Sequence, residues 1–83
     1  MKIKNSIEWN NIESKLFDQS RNLKYMVEVR GMIRNISRRI TELSREEVEA
    51  RNRRSNRVDY LLSTINEEIE MVEEYILVAA LLG

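Results

Sequence analysis

The sequence predicts an all-α protein: a small helical bundle built on a long antiparallel helical hairpin, with a short N-terminal helix, completed by oligomerisation. Three observations predict it. The apolar residues Val58, Leu62, Ile65, Ile69, Val72, Ile76 and Ala79 recur at alternating steps of four and three, which draws one stripe along a helix. Pro is absent and Gly occurs only at positions 31 and 83, so the usual punctuation of turns is missing. No stretch alternates with the period of two that a half-buried strand requires.

The chain of 83 residues is read as one domain, 1–83. A domain near this size buries only about 60–65% of its unfolded surface, so a second copy is expected to complete its core. The charged fraction, 34%, is high, but the apolar periodicity is too strong for a disordered segment.

The first helix is predicted at about residues 6–18. Asn5 followed by Glu8 has the spacing of a capping box, in which the Asn side chain accepts from an orphan amide. Ile7, Ile12, Leu16 and Phe17 supply its apolar side, with Trp9 as an anchor at the edge. At about 100° per residue, Ile12, Leu16, Leu23 and Val27 form one stripe. Val29, Ile33, Ile36, Ile40 and Leu43 form another, displaced by more than about 90°. One straight helix cannot serve both, so a break is expected at residues 18–22, where five polar residues lie together.

The central helix is predicted at about residues 20–50. Gly31 lies inside its strongest pattern, where glycine costs about 1 kcal/mol relative to alanine. Close approach of another helix is the preferred explanation and a local hinge the competing one. Ser44-Arg45-Glu46-Glu47 could cap a new helix. The preferred end is Arg51–Arg57, seven polar residues with no face to bury. The last helix, 57–82, then carries Asp59 in its first turn, where a negative charge suits the helix dipole. Tyr75 to Leu82 is apolar all round and needs a cover: a second copy by preference, residues 1–20 of the same chain, or a different protein or membrane surface.

The formal net charge is zero, but it is split. All 14 Lys and Arg lie in residues 1–57 against 8 acids, a surplus of 6 positive charges; residues 58–83 hold 6 acids and no base. Such a chain can neutralise itself, within one molecule or between copies. Arg30, Arg34 and Arg38 stand at i, i+4 and i+8 on one helix face, with Arg45 nearly in line. Antiparallel pairing is expected to set Arg38 near Glu68 and Arg34 near Glu70–Glu74, as ion pairs that fix register. The competing reading is an anion site, because Arg grips phosphate in a bidentate fork. Arg51, Arg53, Arg54 and Arg57 make a second basic group, read as a solvated turn, with phosphate contact as the alternative. The isoelectric point near 6.3 argues against a nucleic-acid module. Tyr60 beside that group could stack on a base or an arginine.

The chain has no Cys and no His, which removes disulfides, thiolate metal sites and the commonest general base and metal ligand. Glu67, Glu70 and Glu74 lack the Glu-x-x-His partner of carboxylate di-metal bundles. No catalytic residue, metal or cofactor is therefore predicted. No apolar segment of about 20 residues could span a bilayer, and Lys2 and Lys4 are not followed by the apolar core of a signal peptide, so a cytoplasmic protein is expected. The expected function is a non-catalytic protein–protein interaction module or regulatory adaptor, acting as a helical homo-oligomer. Its interface would be Val58, Leu62, Ile65, Ile69, Val72, Ile76, Ala79 and Leu82, and a second protein could use the apolar C-terminal end. The alternative is capture of a nucleotide, RNA or DNA by Arg30, Arg34, Arg38, Arg53, Arg54 and Arg57. The shape resembles that of small helical-hairpin dimers of plasmid and phage origin, a likeness of architecture without a shared motif.

Overall fold

The computed structural model describes residues 1–21, 26–50 and 56–82, and its class is all-α, with no strand among these residues. An extended segment leads into a single 3-10 turn, Ser6–Glu8, and then into α1 (Trp9–Ser20), α2 (Met26–Glu49) and α3 (Asn56–Leu82). The molecule is a rod, 48 × 16 × 16 Å. Its length matches α3, since 27 residues at about 1.5 Å each span roughly 40 Å.

The N-terminal cap forms at Asn5. Its side-chain oxygen accepts from the amides of Ile7 (3.1 Å) and Glu8 (3.3 Å). Glu8 reaches back to the amide of Lys4 at 2.8 Å, one residue earlier than in a capping box. The segment before it is held on α3. The amide of Ile3 donates to Asn66 Oδ1 at 2.7 Å, and Asn66 Nδ2 donates to the Ile3 carbonyl at 3.1 Å. These paired bonds satisfy both backbone groups of a residue with no helical partner, which lets the Ile3 side chain enter the core. The Met1 ammonium adds an ion pair with Glu73 at 2.8 Å.

α1 ends at Ser20, whose buried hydroxyl donates to the Phe17 carbonyl at 3.1 Å, and α2 begins at Met26. The expected interruption near residues 18–22 therefore starts at Arg21; residues 22–25, including Leu23 of the first stripe, lie outside the described residues. The second stripe is buried in full: Val29, Ile33, Ile36, Ile40 and Leu43. α2 runs unbroken through Gly31 and through Ser44–Glu47, so neither a hinge nor a new helix occurs there. Gly31 is exposed, and a Cβ placed on it would meet nothing within 4 Å among the described residues, so no described part of this chain makes the close helix approach expected there. Two further expectations need correction. Ile7 is exposed, because it precedes the α-helix proper and points away from α2, and Val27 is exposed on the outer side of α2.

α2 and α3 make the principal packing. Arg39 meets Glu68 at 2.6 Å, and Arg57 meets Glu42, so as α2 advances α3 retreats and the two run antiparallel. The core interleaves the α2 stripe with Leu61, Ile65, Ile69, Val72 and Ile76 of α3; Ile3, Trp9, Ile12 and Leu16 close it from one side. Trp9 is buried rather than at an edge, its Nε1 donating to Ser37 Oγ at 3.3 Å while that hydroxyl donates to Glu13 at 3.0 Å.

Candidate interaction surfaces

The eight residues predicted to join copies fall in three groups. Ile65, Ile69, Val72 and Ile76 are buried inside this chain. Val58, Leu62 and Ala79 are half-buried, and Leu82 is 85% exposed. The ridge read as an interface thus faces α2 and α1 of its own molecule, because those stripes suffice to cover it. Leu61, not Leu62, is its buried member near the start of α3.

A second apolar stripe lies on the same helix. Met71, Tyr75, Val78 and Leu82 are spaced by four, three and four, about 110° around α3 from the buried ridge. Met71 is 62% and Val78 46% exposed, and Tyr75 is half-buried. Beside them a shallow groove between α2 and α3 is lined by Met32, Asn35, Ile36, Glu68, Met71 and Val72. This flank is opposite the one that α1 and residues 1–5 cover. Leu77 and Leu81 are also exposed, so the apolar end of α3 is not enclosed by residues 1–20. The stripe was missed in the sequence, although its spacing announces it, because the stronger ridge on the same helix masks it.

The arginine row needs a further correction. Arg30, Arg34 and Arg38 are exposed, and among the described residues none forms an ion pair; Arg39 takes Glu68 instead. The predicted level along the helix was right and the predicted face wrong. Taking about 100° per residue, Arg39 lies about 80° from the centre of the buried α2 stripe and can reach around to α3. Arg34, Arg38 and Arg45 lie about 140–180° from that centre, and Arg30 about 100° on the flank nearer α1. The acids show the same division, with Glu67, Glu70 and Glu74 exposed on the far side of α3.

Of the second basic group, Arg51, Arg53 and Arg54 lie outside the described residues. Arg57 donates to Glu42 and sits 5.7 Å from the Tyr60 ring centroid, one of the two stackings open to Tyr60 in the sequence. Its hydrogen bond to Glu42, then the charge of that carboxylate, hold the guanidinium above its ordinary pKa. A raised value supports the fold while Glu42 is ionised and is lost in strong alkali, so this contact is constant through the neutral range.

No buried side-chain polar atom lacks a partner, and no helix is long and apolar enough to cross a membrane, among the described residues. The sequence matches no protein-family model, and no curated protein or solved structure is significantly similar to it.

Proposed function

We propose that this protein is a non-catalytic interaction module whose α2–α3 hairpin associates with a second copy through the bare flank of the groove. The observation that carries the reading is the stripe of exposed Met71, Val78 and Leu82 with half-buried Tyr75, near the half-buried Met32. Scattered exposed apolar residues are ordinary, but a contiguous stripe along a groove is the form that helix–helix recognition takes. Two such flanks laid together would make a larger helical bundle, each copy supplying the cover the other lacks. Val72 and Ile36, at the floor of the groove, already belong to the core, so the joint surface would continue the interior of each copy.

The test is sedimentation equilibrium of the wild type and of Val78→Asp at tens of micromolar. The wild type is expected as a dimer or larger species. Val78→Asp is expected to lose the groove-flank contact and sediment as a smaller species than the wild type, with an unchanged helical circular dichroism spectrum, because Val78 lies outside the core. A monomeric wild type would remove the proposal.

A second reading rests on the exposure of Arg30, Arg34 and Arg38, which form no ion pair among the described residues: binding of a phosphate-bearing ligand along the outer face of α2. Retention on a phosphocellulose matrix that weakens steeply as salt rises would support it.

A further inference from the structure

The outer faces of α2 and α3 match each other. On α2, Val27, Gly31, Arg34, Arg38 and Arg45 are exposed and turned about 140–180° from the buried stripe. On α3, Glu67, Glu70, Glu74 and Leu81 are exposed and turned by a similar angle, with Leu77 about 120° away. The Arg39–Glu68 ion pair fixes the relative level of the two helices. Counting outward from it, Arg38 is level with Glu67–Glu70, Arg34 with Glu70–Glu74, and Val27 with Leu77–Leu81. From Val27 to Arg38, basic residues therefore stand opposite acidic ones, and apolar opposite apolar, at the same heights but on opposite sides of the molecule; Arg45 and the exposed Glu49, further along the same face of α2, have no such counterpart.

We infer that copies of this chain associate side by side, the outer face of α2 in one against the outer face of α3 in the next. A copy displaced sideways, the same way up, brings Arg34 and Arg38 to Glu70, Glu74 and Glu67 of its neighbour, and Val27 to Leu77 and Leu81. The contact is separate from the groove flank proposed above. Gly31 supports it independently. Glycine weakens a helix, and here nothing among the described residues approaches it; its bare backbone lies among Val27 and Arg34, where a neighbouring helix would need room. Like charges at i, i+4 oppose the helix that bears them, and the acids of a neighbour relieve that repulsion. The two faces are different surfaces, so the contact is head-to-tail and repeats until it closes a ring or extends as a filament.

Charge makes the contact separable from the apolar one. The screening length falls from about 10 Å at 0.1 M salt to about 3 Å at 1 M, whereas apolar burial does not weaken with sodium chloride in this way. The experiment is sedimentation of the full chain at both salt concentrations, with two charge-reversed variants, Arg34→Glu/Arg38→Glu and Glu70→Arg/Glu74→Arg. The wild type is expected to show an association step about tenfold weaker at 1 M. Each variant alone presents two faces of one sign and is expected to lose that step, with its helical spectrum intact. An equimolar mixture restores opposite signs at every contact and is expected to regain it. A wild type without a salt-sensitive step, or a mixture that does not regain it, overturns the inference. So does binding of a DNA duplex by the wild type that Arg34→Glu/Arg38→Glu abolishes, if no salt-sensitive self-association accompanies it; the row would then serve nucleic acid.

Discussion

The two flanks of the α2–α3 groove are treated differently by the same chain. One is covered by α1 and residues 1–5, and the cover is edged with polar bonds: Ile3 to Asn66, Trp9 to Ser37, Ser37 to Glu13. The other is bare and carries Met32, Met71, Tyr75 and Val78 with Glu68 at its rim. The covered flank has polar residues placed to satisfy the specific backbone and side-chain groups that lie on it. The bare flank carries Asn35 and the Arg39–Glu68 ion pair at its rim but has no described segment laid over its apolar surface, and Met, the most adaptable apolar side chain, stands on both sides of it. The contrast teaches that covering a helix pair from within demands polar residues at fixed places, whereas a surface left for another chain need only be apolar and accessible.

The largest effect that separates interior from surface is expected at neighbouring positions of α3. Ile69 is fully buried between the flanks, and Met71 is 62% exposed on the bare one. Ile69→Ala removes three buried carbons and leaves a cavity, which costs about 2–5 kcal/mol. Small domains have roughly 5–15 kcal/mol in total, so the variant is expected to melt far below the wild type. Met71→Ala is expected to stay within about 0.5 kcal/mol, as surface substitutions do. Thermal unfolding followed by circular dichroism, at a protein concentration low enough to dissociate any assembly, measures both. Equal losses would mean that Met71 is as enclosed as Ile69 and that the bare flank is not bare.

A smaller effect is expected from uncovering the covered flank. Asn66 accepts from the Ile3 amide and donates to the Ile3 carbonyl. Asn66→Ala leaves both groups without a partner in a partly buried place, a loss of about 1–3 kcal/mol. Residues 1–5 would then detach, and the Ile3 amide is expected to exchange with deuterium much faster than the amides of Ile65 or Ile69. Unchanged protection at Ile3 would show that the apolar side chain alone holds the segment.

The class and both long stripes were legible because periodicity is a local property. Val29 to Leu43 and Ile65 to Ile76 announce their buried faces without reference to anything else. Azimuth relative to a neighbour is not local. Arg38 and Arg39 are adjacent in sequence, and only the orientation of the packed stripe decides which of them reaches Glu68. That orientation was in principle available, since about 100° per residue places Arg38 directly opposite the stripe. Ile3 was not legible at all: one apolar residue in a polar segment has no period, and its burial depends on Asn66, 63 residues away. Ile7 shows the same limit from the other side, an apolar residue that fits the helical pattern and points to solvent.

The smallest effect concerns the outer face, which belongs to neither flank. Gly31 lies in the second turn of α2 with no left-handed backbone and, among the described residues, no atom within 4 Å of an added Cβ. Nothing among the described residues requires glycine there. Gly31→Ala is therefore expected to stabilise the fold by about 0.4–1 kcal/mol, through helix propensity and a less flexible unfolded chain. For a domain of this size that raises the melting temperature by a few degrees, measured at a protein concentration low enough to dissociate any assembly. At high concentration the added methyl group stands where a neighbouring helix would lie, and the gain is expected to shrink or reverse. A stabilisation independent of concentration would leave the glycine without a role in association and would confine the self-recognition of this chain to the groove flank.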